Sequence, residues 1–183
     1  MALVVLLGGA RSGKSRLAVE LAAASGASVT FVATGEARDD EMEARIAAHR
    51  ADRPAGWETL EEPYELERAL TSIVAGRVVV VDCLSLWVAN ALERGDGQDA
   101  IVESARRAAC VAASRGPMAI GVSNEVGLGI VPGSPAGRLY RDILGNVNRV
   151  WVEASAEASL VVAGRALRLE SVAALAQSRE VSR

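Results

Sequence analysis

The residues Gly8-Gly9-Ala10-Arg11-Ser12-Gly13-Lys14-Ser15 carry the clearest chemistry in the chain. They fit G-x-x-x-x-G-K-[ST], the loop with which P-loop nucleotide-binding proteins cradle phosphate. Each residue type has a task there. The glycines let backbone N–H groups come close to phosphate oxygens. Lys14 can reach the β and γ phosphates, and the Ser15 hydroxyl can ligate Mg²⁺. A glycine-rich turn that held no ligand would have no need of a lysine followed by a serine.

Two more regions could add to this chemistry. Asp82 closes the apolar run Val78-Val79-Val80-Val81. An acid at the carboxyl end of a buried strand in a P-loop fold can hold Mg²⁺ directly or through water. Equally, Asp82 could cap a helix beginning at Leu84, since Asp favours that position. His49 is the one histidine of the chain and shares a helical face with Met42 and Ile46. That pattern fits a half-buried packing histidine. It also fits a nucleophile, because Arg45, Arg50 and Arg53 lie close in sequence and guanidinium charge disfavours a proton on the ring. The same arginines could grip phosphate oxygens in bidentate fashion.

Ser123-Asn124-Glu125-Val126-Gly127-Leu128-Gly129-Ile130-Val131-Pro132 leaves a strand at the end of the sheet that bears the phosphate loop. Ligands bind at that end in open α/β sheets, although a plain crossover loop would read the same way. Gly145-Asn146-Val147-Asn148-Arg149 interrupts a helical pattern with weak helix formers, as either a contact surface or a poor helix.

These residues need a scaffold, and the pattern supplies one. Leu3–Leu7 reads as a buried strand and Arg16–Ala22 as a helix, so the phosphate loop joins strand to helix and meets the positive end of the helix dipole. Further strands are expected at Ser28–Ala33, Trp57–Leu60, Val78–Asp82 and Met118–Val122, with a final hairpin of Ser159–Ala163 and Ala166–Leu169 turning at Gly164-Arg165. Helices are expected from about Arg38 to before Pro54, Pro63–Val74, Leu84–Leu92, Asp99–Ser114 and Arg138–Ala156, after a loop over Gly127–Gly137. Residues 171–183 read as a short helix or a tail. The expectation is one α/β nucleotide-binding domain over 1–183. It would be P-loop NTPase-like (RecA-like), with a mainly parallel sheet, helices on both faces and a C-terminal hairpin.

Composition agrees. Half of the 183 residues are hydrophobic but only 3% are aromatic, so the core is built from aliphatic residues, as suits strands buried on both faces. A net charge of −3 without a Lys/Arg cluster argues against a nucleic-acid partner. No apolar run approaches the roughly 20 residues that cross a bilayer. The first apolar run lacks a basic n-region and leads into the phosphate loop, which reads as a strand and not a signal peptide. Cys83 and Cys110 lack metal-ligand spacing and read as small core residues in a reducing cytosol.

Three stretches, in this order and spacing, resemble one family. They are Gly8–Ser15; Asp39-Asp40-Glu41-Met42 through His49 to Arg53-Pro54; and Asn124–Pro132 with Arg141-Asp142 downstream. The chain resembles the bifunctional adenosylcobinamide kinase/adenosylcobinamide-phosphate guanylyltransferases of cobalamin biosynthesis, from about Leu3 to Leu169. The resemblance implies a cytoplasmic enzyme that phosphorylates a small-molecule corrinoid, adenosylcobinamide, from ATP or GTP. GMP then passes from GTP to that phosphate through a guanylylated histidine, giving adenosylcobinamide-GDP and pyrophosphate. The matching catalytic positions are His49 and Lys14. The matching nucleotide contacts are Gly8, Gly9, Ala10, Arg11, Ser12, Gly13, Lys14 and Ser15, then Thr34, Gly35, Glu36, Arg50, Ala51, Asp52, Arg53, Glu61 and Asp82. Ser15 and Asp82 would hold Mg²⁺, although relatives can carry Glu at the Asp82 position. Family members assemble as homotrimers. Two other functions fit the phosphate loop alone: a single-activity small-molecule kinase and a nucleotide-dependent switch.

Overall fold

The computed structural model describes residues 2–51 and 53–172. Residues 173–183 of the expected C-terminal helix or tail lie outside that range, as does Asp52. Among the described residues, seven strands form one sheet: β1 (Ala2–Gly8), β2 (Val29–Ala33), β3 (Glu58–Glu61), β4 (Val78–Asp82), β5 (Met118–Asn124), β6 (Glu157–Val162) and β7 (Arg165–Leu169). Their order is β3-β2-β4-β5-β1-β6-β7. Every neighbouring pair is parallel except the β6–β7 hairpin. Helices α1 (Lys14–Ala24), α2 (Asp40–Ala51), α3 (Leu66–Ser72), α4 (Leu84–Arg94), α5 (Gln98–Ser114) and α6 (Pro135–Ala154) complete the α/β architecture.

Parallel strands need helical crossovers, and these cover the two faces unequally. On one face, Leu3, Val5, Leu7, Val79, Val81 and Ala119 meet α3, α4, α5 and α6, with Trp87 and Trp151 fully buried. The other face packs Leu6, Phe31, Val80, Ile120 and Val122 against Ala18 and Ala22 of α1. Alanines on α1 and α5 let backbone approach backbone. This explains how an aliphatic chain with few aromatics reaches close packing. Gly121 serves the same end: a Cβ there would stand 2.8 Å from Trp151 Cε3.

Several expected boundaries move for identifiable reasons. Helix α6 begins at Pro135 and not at Arg138, because Ser134 caps it by accepting from the Gly137 N–H at 3.1 Å and Pro135 occupies the first turn. It also runs unbroken through Gly145–Arg149 and ends at Ala154. Val147 and Asn148 are buried there, and the Asn148 amide donates to the Asn124 carbonyl at 3.0 Å, so tertiary contact overrides poor propensity. Helix α3 is shorter than expected, at Leu66–Ser72. The hairpin turns at Ala163-Gly164, one residue earlier than the sequence suggested. Cys110 is exposed, not a core residue, whereas Cys83 is half-buried.

Candidate active site

The sheet order places the ends of β1, β4 and β5 side by side, and the chain reverses its direction of travel around β1. That is where an open α/β sheet leaves a crevice. The phosphate loop runs from the end of β1 into α1. A Cβ on Gly8 would collide with the Val161 carbonyl of the adjoining β6, so glycine is required where the loop begins. Gly13 precedes α1 with φ 99°, a left-handed conformation that glycine adopts freely, and no side chain caps the helix. The orphan N–H groups of the first turn are thus left for a ligand. Arg11 is exposed at φ 55°. Lys14 is buried, and its Nζ donates to the Gly9 carbonyl at 2.7 Å and to Ser12 Oγ at 3.5 Å. It curls over the loop in which a triphosphate would sit.

Asp82 lies two strands from the phosphate loop, with β5 between β4 and β1. Its carboxylate nonetheless lies close enough to Ser15 for that hydroxyl to act on it. Burial raises the Asp82 pKa, while the Ser15 hydroxyl and the charges of His49, Lys14 and Arg53 act in the opposite direction. The capping role is not filled by Asp82: Cys83 precedes α4, and no side chain caps that helix. Thr34 is fully buried. Its hydroxyl accepts from the Cys83 N–H at 2.8 Å and donates to the Cys83 carbonyl at 2.7 Å, fastening the end of β2 to the residue after Asp82.

His49 sits near the end of α2, half-buried in a stripe with Met42 and Ile46, as their spacing requires. None of the helix's described side chains is fully buried. The helix meets the body where Gly35 leaves room, since a Cβ there would lie 3.5 Å from Ile46 Cδ1 and 3.2 Å from Leu86 Cδ1. The arginines around His49 part ways. Arg50 forms an ion pair with Glu61 at the end of β3. Arg53 stacks 3.7 Å over the Phe31 ring and donates to Thr59 Oγ1 at 3.1 Å. Its Nε is buried and has no hydrogen-bond partner among the described residues, a donor left over for an acceptor oxygen. The Arg45 side chain is outside the described part of the chain. Ala51 is the last, exposed residue of α2.

Glu36 belongs to a rim network. It accepts from Arg38 at 2.6 Å and from the Tyr64 hydroxyl at 3.0 Å, and the Arg38 bond holds its carboxyl below the usual range. Arg38 also reaches Glu93 and, at 3.0 Å, Asn90 Oδ1. The loop after β5 is anchored to the phosphate loop, because the Glu125 N–H donates to the Gly8 carbonyl at 3.0 Å. Beyond that anchor, Leu128 and Ile130 stand 81% and 97% exposed.

Phosphate loop, Asp82, Arg53 and His49 therefore converge, while Glu36 and Glu61 are engaged in ion pairs. Sequence reasoning missed the polar groups that brace this end of the sheet. Ser85 accepts from the Asn124 amide at 3.0 Å, lies 2.9 Å from Cys83 Sγ, and receives the Tyr140 hydroxyl on its carbonyl at 3.2 Å. Asn90 donates to the Thr34 carbonyl at 2.8 Å. The available signal was a Ser and an Asn inside an otherwise apolar helix, Leu84–Ala91. Such groups are buried only when they have partners.

Among the described residues no helix is long and apolar enough to cross a membrane. A family model described as cobinamide kinase / cobinamide phosphate guanyltransferase matches residues 4–169. The bifunctional adenosylcobalamin biosynthesis protein CobP of Pseudomonas aeruginosa is 46% identical over 167 residues, covering 91% of this chain and 96% of its own. The proteins named CobU, with the same description, from Escherichia coli and Salmonella typhimurium are 36% and 34% identical, each across 92% of this chain and 99% of theirs. The match runs from the first strand to the last and takes in both the phosphate loop and α2. The chain belongs to the cobinamide kinase / cobinamide phosphate guanyltransferase family.

Proposed function

We propose that residues 1–183 act as one nucleotide-binding domain that performs two successive transfers to adenosylcobinamide, the second through a guanylylated His49. The observation that carries this reading is the placement of His49. It lies close enough to Asp82 for its charge to act on that carboxylate, as do Ser15 and Lys14 of the phosphate loop. In the first transfer the acceptor hydroxyl oxygen attacks the γ-phosphorus of ATP or GTP. The nucleoside diphosphate leaves and the hydroxyl proton is released. Lys14 and the uncapped N–H groups of α1 offset the charge that develops on the phosphate oxygens.

In the second transfer an imidazole nitrogen of neutral His49 attacks the α-phosphorus of GTP. Pyrophosphate leaves from the loop that grips the β and γ phosphates, and a phosphoramidate remains. An oxygen of adenosylcobinamide phosphate then attacks that phosphorus and the imidazole leaves, giving adenosylcobinamide-GDP. The buried Arg53 Nε supplies a donor for an α-phosphate oxygen. Gly8 through Ser15 and Asp82 would contact the polyphosphate. Thr34, Gly35, Glu36, Arg50, Ala51, Asp52 and Glu61 complete the nucleotide's surroundings in this reading.

Ser15 and Asp82 bring a hydroxyl and a carboxylate together, hard oxygen donors that suit Mg²⁺ alongside phosphate oxygens and water. The ion would supply positive charge at the bridging phosphates. A homotrimer in the cytoplasm belongs to the same reading and rests on the resemblance of the chain to its family. The test is incubation with GTP radiolabelled at the α-phosphate, followed by denaturation. Label that stays with the protein and is lost in acid is the expected result. Label absent from a preparation active in both transfers would refute the covalent step.

A further inference from the structure

We infer that the turn of the C-terminal hairpin, Ala163-Gly164, is a positioning device for the phosphate loop, with the Gly164 N–H as its working group. The inference rests on the reading of Gly8–Ser15 as the polyphosphate site. Strand β6 pairs with β1 in a register that sets Val161 beside Gly8, so the hairpin turn is carried past the end of β1 to the loop itself. There the Gly164 N–H donates to the Ser12 carbonyl at 2.8 Å. The backbone contact is close, since a Cβ on Gly13 would lie 3.4 Å from Gly164 Cα.

The donor is available for a topological reason. Val162 and Arg165 form the closing pair of a two-residue turn whose central residues both have positive φ, 48° at Ala163 and 75° at Gly164. In such a turn the hairpin uses the N–H of the fourth residue, and the N–H of the third is left over. The left-over N–H is the one that holds Ser12. Its effect on the loop follows from the planar trans peptide. The carbonyl and N–H of one peptide unit point in opposite directions, so fixing the Ser12 carbonyl toward the hairpin aims the Gly13 N–H away from it. The Gly13 amide is then fixed before nucleotide arrives, and orienting it costs nothing at the moment of binding. The hairpin joins the sheet only through β6, and β7 is exposed along its length apart from Leu169.

The test compares Gly164→Val with Gly164→Asn, alongside Lys14→Ala. Valine is excluded from a left-handed φ, whereas Asn tolerates it and keeps the N–H in place. No heavy atom lies within 4 Å of a Cβ at position 164, so neither side chain meets a clash at its root. Gly164→Val is expected to raise KM for the nucleotide in both transfers by about 10- to 100-fold, the equivalent of one misaimed bond to a charged group. Gly164→Asn should stay within about threefold of the parent protein, well below that loss. A brace with only a stabilising role would lower Tm and leave KM unchanged in the folded fraction; that outcome, or an unchanged KM and Tm, overturns the proposal. Should Gly164→Val fail to fold, amide hydrogen exchange of the unmodified protein decides: protection of the Gly164 amide that increases on addition of GTP is expected, and exchange at the rate of a free loop overturns the proposal. If Lys14→Ala leaves the equilibrium affinity for GTP unchanged, the phosphate-loop reading fails. If Lys14→Ala weakens GTP binding and Gly164→Val leaves both binding and KM unchanged, only the brace fails.

Discussion

Replacing His49 by alanine should separate the two transfers on one protein. The structural cost is small and can be worked out. His49 is half-buried on a helix with no fully buried described side chain, so truncation leaves no sealed cavity. Surface changes of this kind stay within about 0.5 kcal/mol. Alanine gains up to about 0.7 kcal/mol of helix propensity in return. The two nearly cancel, and at about 2–4 °C per kcal/mol for a chain of this size Tm should move by no more than about 2 °C. Kinase kcat/KM should stay within about threefold, the rate equivalent of about 0.7 kcal/mol. GMP transfer should fall to background, since the chain has no second histidine to take over as nucleophile.

The assay follows γ-phosphoryl transfer to adenosylcobinamide and GMP transfer to adenosylcobinamide phosphate in one preparation, with Tm measured beside them. Loss of both transfers at unchanged Tm would make His49 a binding residue shared by the two reactions. Survival of GMP transfer in the variant would refute the covalent mechanism.

Three more outcomes follow from the same geometry. Lys14→Ala should abolish kinase turnover and severely impair guanylylation, because it removes a cation that offsets several phosphate charges; unchanged kcat and KM would make the loop vestigial. Asp82→Asn should weaken the Mg²⁺ dependence of both activities by about 10- to 100-fold. Burial raises the Asp82 pKa and makes its charged form costly, so Tm should hold or rise at neutral pH, and a sharp fall would give Asp82 a structural role instead. The Cys83 thiol is pushed from 9.0 up to about 11 by burial and by the neighbouring Asp82, so the unfolded chain loses this proton first as pH rises. Stability should hold below pH 9, fall through that window by about 2–3 kcal/mol, and fall less in Cys83→Ala; equal alkaline profiles by thermal melting would refute the assignment.

How much of the fold was legible depends on whether the signal was local. Val78–Asp82 was readable because four consecutive β-branched residues bounded by polar ones have no competing period. The phosphate loop was readable because its constraints lie within eight residues. Helix α6 was misjudged at its start because Pro135 and Gly137 read as loop residues until Ser134 is seen to cap them. It was misjudged in its middle because Asn148 pairs with a carbonyl on β5 that sequence alone cannot place. Cys110 was misplaced for a similar reason: a small apolar residue on a helix carries no mark of the face it occupies.

The site shows the same divide at finer grain. His49 and its arginines could be grouped by proximity in sequence, but proximity says nothing of what each guanidinium faces. Arg50 is drawn to Glu61, which stands at the end of β3 and pairs in register with Ala33 on β2. Arg53, three residues later, turns onto Phe31 of that same β2, inside the sheet's edge, and keeps one N–H unspent. Thr34 and Cys83 meet across 49 residues only because β2 and β4 are neighbours. That neighbourhood sets the end of β2, the root of α2 and Asp82 beside one another. Strand order is thus what brings a phosphate loop and a lone histidine to one end of the sheet. It is a property of how seven strands share one sheet, and no short motif in the chain encodes it.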